Sequence, residues 1–232
     1  MQTYPLFAIL TGRPVLVVGG GAVGERKVLD LLAAGAQVTV VSREFTPRLQ
    51  ELAARGEIRA IPGDFEPGQV AGMALVVGAT DDPEVNVRVS RAAQAANIWV
   101  NIVDAPELCT FIVPAQIRRG ELTLAVSTGG ASPALARRLR ETLERTFGPE
   151  YGPYLRLMRA VRERVLEVRR GHPDNAALFL RLADCPLLGA VARRDREAIR
   201  RLLKEALAGV LPEAVLEELS GLSLEEEPPA GQ

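Results

Sequence analysis

The stretch Pro14-Val-Leu-Val-Val-Gly-Gly-Gly-Ala-Val-Gly-Glu-Arg-Lys-Val-Leu-Asp-Leu-Leu-Ala-Ala-Gly-Ala-Gln-Val-Thr-Val-Val41 decides how this chain is read. Val15 to Val18 is a short apolar run, as in a buried strand. Gly19-Gly20-Gly21-Ala22-Val23-Gly24 breaks it. Val28, Leu29, Leu31 and Leu32 then recur at helical spacing, and Val38 to Val41 opens a second apolar run. Strand, glycine turn, helix and strand is the order of a dinucleotide-binding unit. Gly19 permits the tight turn, Gly21 lets the backbone approach a pyrophosphate, and Gly24 lets the helix pack on the strand. The helix N-terminus supplies free N–H groups and a partial positive charge for the phosphates. The alternative is a glycine turn that only packs.

Composition narrows the classes around that unit. The chain has 232 residues, 47% of them hydrophobic, enough for one large domain or two small ones. A net charge of −1 argues against bulk electrostatic binding of nucleic acid. Of the 28 Lys and Arg, only Lys27 and Lys204 are lysine; arginine matches carboxylates and phosphates bidentately, but such a bias also follows from genome composition or a warm habitat. Two cysteines, Cys109 and Cys185, make neither a disulfide framework nor a zinc cluster, and the single His172 argues against a multi-histidine metal site or a His-based triad. No metal site is legible. The N-terminus lacks the pattern of a signal peptide and no apolar run is long enough to span a bilayer, so a cytoplasmic location is expected.

Strand and helix alternate through the first hundred residues. A helix is expected from Pro47 to Arg55, strands at Ile58–Ile61, Met73–Ala79 and Ile98–Val103, and a helix opened by Asp82 as N-cap and Pro83. This predicts an α/β fold with a parallel sheet and right-handed crossovers. After Asp104 the pattern changes. Cys109–Pro114 and Leu122–Val126 read as a strand pair joined by a turn at Arg118–Glu121. A second glycine turn, Ser127-Thr-Gly-Gly-Ala-Ser-Pro133, opens a helix running to about Phe147. Beyond Tyr151 the chain reads as helical, at Leu155–Arg170, Asn175–Ala183, Arg196–Ala208 and Pro212–Leu219, before an acidic tail expected to be disordered.

Few residues are candidates for chemistry. Asp104 stands where a strand gives way to a loop, and ligands of open α/β sheets sit beyond the carboxyl ends of strands. A carboxylate there can take a proton or meet a metal; the bland reading is an Asx turn. Thr80 ends another strand on the same edge and is a candidate contact for the nicotinamide end of a cofactor. The residue that grips the adenosine ribose should lie roughly 20 residues past the glycines. Glu44 suits a ribose and Arg43 a 2′-phosphate, so the residues alone leave NAD and NADP open. The second glycine turn (Ser127, Thr128, Gly129) opens a helix bearing Arg137, Arg138 and Arg140, an anion site or a solvated face.

The ordered set of motifs resembles the precorrin-2 dehydrogenase family of sirohaem synthesis, which occurs alone or as the N-terminal module of a multifunctional sirohaem synthase. The matching pieces are Tyr4-Pro-Leu-Phe, Val17-Val-Gly-Gly-Gly-Ala-Val-Gly-Glu-Arg-Lys27, Ala79-Thr-Asp-Asp82 with Val85-Asn86, Asn101-Ile-Val-Asp-Ala-Pro106, Phe111-Ile-Val-Pro114 and Ala125-Val-Ser-Thr-Gly-Gly-Ala-Ser-Pro-Ala-Leu-Ala136, across roughly residues 1–150.

The resemblance implies a Rossmann-type NAD-binding domain over residues 1–112, a small α+β dimerisation region over 113–150, a helical C-terminal region over 151–222 and a tail over 223–232. It implies oxidation of precorrin-2 to sirohydrochlorin with NAD+, with Fe2+ insertion in some members. It puts the key carboxylate on Asp104 and cofactor contacts on Ala22, Val23, Arg43 and Glu44. For the carboxylates of such a substrate, Ser127, Thr128 and Gly129 and an electropositive rim of Arg137, Arg138 and Arg140 are the candidates that the residues themselves offer. The family is typically homodimeric. Two departures stand out: Gly24, where the family commonly has Ala, and Thr128, where multifunctional synthases carry a regulatory phosphoserine. With no methyltransferase module in this sequence, methylation of uroporphyrinogen is not expected. A ligand-sensing module, or an NADP-linked reductase of another small molecule, would explain the glycine turn without the remaining motifs.

Overall fold

The computed structural model describes residues 3–222, so the expected acidic tail lies outside the described residues. The chain divides into two compact units that meet in sequence at Val113 and Pro114. The first unit holds β1 (Pro14–Val18), α1 (Ala22–Ala33), β2 (Gln37–Ser42), α2 (Pro47–Ala54), β3 (Ile58–Pro62), β4 (Leu75–Gly78), α3 (Pro83–Ala95) and β5 (Trp99–Ile102). All five strands are parallel, in the order β3-β2-β1-β4-β5.

Alternation along β1 explains the layering. Val15 and Val17 point to one face and join Val28 of α1 and Leu49 and Leu52 of α2. Leu16 and Val18 point to the other and join Val89 and Ala93 of α3, with Val76, Val100 and Ile102. A strand covered on both faces reads as an unbroken apolar run, as Val15–Val18 does. The caps are as anticipated: the Asp82 carboxylate accepts from the amides of Glu84 and Val85 at 2.9 and 3.2 Å, with Pro83 in the first turn of α3.

The second unit contains β6 (Ala115–Arg119) and β7 (Leu122–Val126), an antiparallel pair, then α4 (Pro133–Thr146), α5 (Tyr151–Arg169), α6 (Asn175–Asp184), α7 (Leu187–Ala192), α8 (Arg196–Ala206) and α9 (Glu213–Leu222). Leu157, Val161 and Val165 of α5 pack with Leu178, Leu182, Ile199, Leu203, Leu216 and Leu219 into one core. No helix among the described residues is long and apolar enough to cross a membrane.

Two elements differ from the sequence reading. The strand expected at Cys109–Pro114 forms at Ala115–Arg119 instead. Residues 109–111 are already committed to the free edge of β5: the Thr110 amide donates to the Val100 carbonyl at 2.8 Å, the Val100 amide donates to the Thr110 hydroxyl at 2.8 Å, and the Asn101 side chain donates to the Phe111 carbonyl at 3.1 Å. A sheet edge covered this way has no open ladder for another strand. The second difference is α7, a short helix begun after Pro186 whose Leu187, Ala190 and Val191 are buried.

Candidate active site

The carboxyl ends of the strands line up. Val18, Gly78 and Ile102 are register partners across β1, β4 and β5. The ladder runs one residue further, with Gly19 N donating to Val41 O at 2.9 Å, Ala79 N to Val18 O at 2.7 Å and Val103 N to Gly78 O at 2.9 Å. Ser42 to Glu44, Gly19 to Gly24, Thr80 and Asp104 therefore share one edge. The strand order reverses between β1 and β4, the switch point where open α/β sheets bind ligands.

The glycines there divide into two kinds. Gly19 has φ +118°, and a Cβ on it would overlap the Ala79 carbonyl oxygen; one on Gly24 would overlap the Gly19 carbonyl oxygen, and one on Gly20 the Glu44 carbonyl and the Ser42 side chain. These three are demanded by packing. Gly21 is not: its φ of −78° suits any residue, and nothing lies within 4 Å of a Cβ built on it. It is the N-cap of α1, a helix start that no side chain caps. The first amides of a helix have no intrahelical acceptor. An uncapped start, open space and a glycine without a conformational need form a cradle that a pyrophosphate fits.

Asp104 lies one strand beyond. Ala105 N donates to Ile102 O at 3.3 Å, closing a turn in which Asp104 has φ +59°. Its side chain is exposed and has no hydrogen-bond or ion-pair partner among the described residues, so the carboxylate is not occupied by an Asx turn. Two strand spacings, about 10 Å, separate it along the edge from the glycine turn. Thr80 is turned to local use. Its hydroxyl oxygen accepts from the Asp82 amide at 3.2 Å and stands 3.2 Å from Asn86 Oδ1, while the Asn86 side chain donates to the Thr80 carbonyl at 2.9 Å. At the tip of β2, Arg43 Nε donates to Asp64 Oδ1 at 2.5 Å, and Glu44 is exposed.

In the second unit, the turn before α4 is largely self-satisfied. The Ser127 hydroxyl accepts from the Gly129 amide at 3.1 Å, the Thr128 hydroxyl accepts from the Ser132 amide at 3.1 Å, and Ser132 caps α4 by accepting from Leu135 N. Along α4, Arg137 pairs with Glu141 and Arg140 with Glu144. Arg138 is exposed and makes no ion pair among the described residues.

Known proteins now bear on this arrangement. Residues 6–115 match the family model "Putative NAD(P)-binding", and residues 119–146 match "Sirohaem biosynthesis protein central". The siroheme synthase of Methylobacillus flagellatus is 46% identical over 210 residues, which is 90% of this chain and 45% of that one. That of Ectopseudomonas mendocina is 41% identical, over 93% of this chain and 46% of its own. The solved structure of "SirC, precorrin-2 dehydrogenase" superposes with a TM-score of 0.73 at 27% identity, covering 88% of this chain and 98% of that one. This chain belongs to the precorrin-2 dehydrogenase and sirohaem synthase family. It spans about half the length of the siroheme synthases it matches. The β1–α1 glycine turn lies within the span matched by the NAD(P)-binding model.

Within this family member, three residues escaped sequence reasoning. The Ser42 hydroxyl accepts from the Gly20 amide at 2.9 Å, tying the glycine turn to the end of β2. Asp64 pairs with Arg43 from just beyond the end of the neighbouring β3. The Cys109 sulfur lies 3.2 Å from Ile102 N and 3.3 Å from Ala105 O, on the turn that carries Asp104. Only Ser42 left a trace, as a hydroxyl residue at a strand tip; the other two pairings depend on which strand ends are neighbours. Among the described residues, no three of His, Cys, Asp and Glu converge as metal ligands.

Proposed function

We propose that this chain oxidises precorrin-2 to sirohydrochlorin with NAD+, a step of sirohaem synthesis. One observation carries the reading: the open, uncapped cradle at Gly21 shares a sheet edge with a carboxylate, Asp104, that has no partner among the described residues. Bound NAD+ supplies a hydride acceptor. The amides at the start of α1, at Ala22, Val23 and Gly24, receive the pyrophosphate; Arg43 and Glu44 flank the adenosine ribose; Thr80 borders the nicotinamide end. Oxidation removes a hydride and a proton from the substrate. The hydride leaves to NAD+, and Asp104 takes the proton directly or through one water, so atoms and charge balance. An exposed carboxylate with no partner among the described residues suits this role. In the second unit, Ser127, Thr128, Gly129, Arg137 and Arg138 offer donors to the carboxylates of the tetrapyrrole.

Asp104→Asn tests the core of this reading, because Asn keeps the shape and tolerates the positive φ. Sirohydrochlorin formation, followed by absorbance, should fall by about 100-fold or more. Undiminished turnover would remove Asp104 from the reaction. The same preparation, supplied with sirohydrochlorin and Fe2+, tests the second activity that the resemblance implies; insertion no faster than in buffer would exclude it. The reading also makes the protein a homodimer, in keeping with the exposure of Leu135 and Leu139 on α4 at 48% and 41%. Light scattering at the monomer mass would overturn that part. A cytoplasmic location goes with a cellular NAD pool and two unpaired cysteines.

A further inference from the structure

The tip of β2 carries a residue that, on general grounds, belongs to the other cofactor. An arginine just past the second strand of a dinucleotide fold is suited to a 2′-phosphate. Arg43 stands there, yet its Nε is engaged by Asp64 Oδ1 at 2.5 Å. The backbone sets up this meeting. Ser42 and Pro62 are register partners, Gly63 N donates to Ser42 O at 3.0 Å, and Gly63 then bends with φ +129°, bringing Asp64 beside Arg43. Other carboxylates share the neighbourhood: Glu44 follows Arg43 in sequence, and Asp82 is near enough to act on the guanidinium. Arg88, which donates to the Phe65 carbonyl at 2.6 Å, adds a more distant positive charge.

We infer that Asp64 is a specificity-determining residue, which sets the choice of NAD+ over NADP+ by holding Arg43 and by repelling a 2′-phosphate. The inference rests on the NAD+ reading above. A ribose 2′-hydroxyl brings no charge to this corner. A 2′-phosphate brings close to two negative charges, and must displace Asp64 from Arg43 or accept its repulsion. Against a dianion about 6 Å away in water-like surroundings, one carboxylate is worth roughly a factor of ten in affinity, less at high salt. Asp64 and Arg43 have 65% and 77% of their side chains exposed, so removing the carboxylate leaves the core intact.

Direct binding measures this without turnover. The purified protein is titrated calorimetrically with NAD+ and with NADP+ at low and at physiological salt. In Asp64→Asn, and in Asp64→Ser as a second replacement, the ratio of the NADP+ to the NAD+ dissociation constant should fall about three- to tenfold, with the larger change at low salt. Adding Arg43→Ala to Asp64→Asn should cancel the part of that gain supplied by the freed guanidinium, leaving only the smaller part due to lost repulsion. A ratio unchanged in both single variants would overturn the assignment of Asp64 alone. A gain that persists in full without Arg43 would overturn the role given to the pair. Failure of the unaltered protein to bind either dinucleotide would overturn the cofactor reading, and this assignment with it.

Discussion

The Cys109 sulfur accepts a hydrogen bond from the Ile102 amide at 3.2 Å and also stands 3.3 Å from the Ile102 carbonyl oxygen. The Ala105 carbonyl is equally near, at 3.3 Å. One half-buried thiol thus closes both sides of the turn on which Asp104 sits. Replacing Cys109 with Ala should increase amide hydrogen exchange at Ile102 and Ala105 and lower kcat for precorrin-2 oxidation several-fold, with little change in NAD+ affinity. Cys109→Ser, which keeps a donor and an acceptor, should recover part of the loss. Equal exchange in the variant and the parent would show that the sulfur does not hold the turn.

Burial pushes the Cys109 thiol above its ordinary value of 9.0. The protonated form is therefore the one the fold favours. Its stabilisation is fully present below about pH 9 and is lost as the pH rises through the raised value, because the unfolded chain ionises first. Denaturant midpoints should thus decline at alkaline pH less steeply in Cys109→Ala than in the parent. Alkylation of Cys109 at pH 8 should also be slower than that of a free thiol.

Gly19 and Gly21 make opposite predictions. Gly19→Ala combines a positive φ with overlap on the Ala79 carbonyl, so it should destabilise the first unit by about 2 kcal/mol or more. Gly21→Ala meets no atom within 4 Å and no backbone penalty, so thermal stability should hold or rise slightly. Its methyl group fills the cradle, and NAD+ affinity should drop at least tenfold. A Gly21→Ala protein that binds NAD+ as well as the parent would remove the pyrophosphate from this position.

Asp104 tests role and strain separately. At φ +59°, an alanine costs about 1 kcal/mol, whereas glycine and asparagine adopt the conformation readily. Asp104→Gly and Asp104→Asn should therefore unfold near the parent temperature, and Asp104→Ala a few degrees lower, while all three lose dehydrogenase activity. Loss of activity in Asp104→Ala alone would assign the effect to strain.

Local signals made much of this legible. Unbroken apolar runs marked strands buried on both faces, and Asp82 and Ser132 announced two helix starts. Spacing alone points Gly21 at a pyrophosphate, and the open, uncapped position it occupies is in keeping with that reading. Long-range partnerships left no local mark. The 109–114 segment looks β-prone because it is apolar, and only the free edge of β5 claims it. The pairing of Arg43 with Asp64 joins residues 21 positions apart and depends on β3 lying beside β2. Sequence left NAD and NADP open at that corner because Arg43 was visible and its counter-ion was not.

The arginines of α4 are unequal, although their sequence does not rank them. Arg137 and Arg140 each hold a glutamate one turn on, at 3.0 and 2.7 Å, so a substrate carboxylate must compete with Glu141 and Glu144 for them. Such surface pairs are worth at most about 1 kcal/mol, but they reduce the local positive field. Arg138 has no such competitor among the described residues and can offer its whole fork to an incoming carboxylate. Arg138→Ala should therefore raise KM for precorrin-2 several-fold, Arg137→Ala should raise it less, and neither should alter NAD+ affinity. Arg138→Lys should fall between, since an ammonium keeps the charge and loses the bidentate geometry. If Arg138→Ala leaves KM unchanged while Arg137→Ala raises it, the paired guanidinium is the one that meets the substrate.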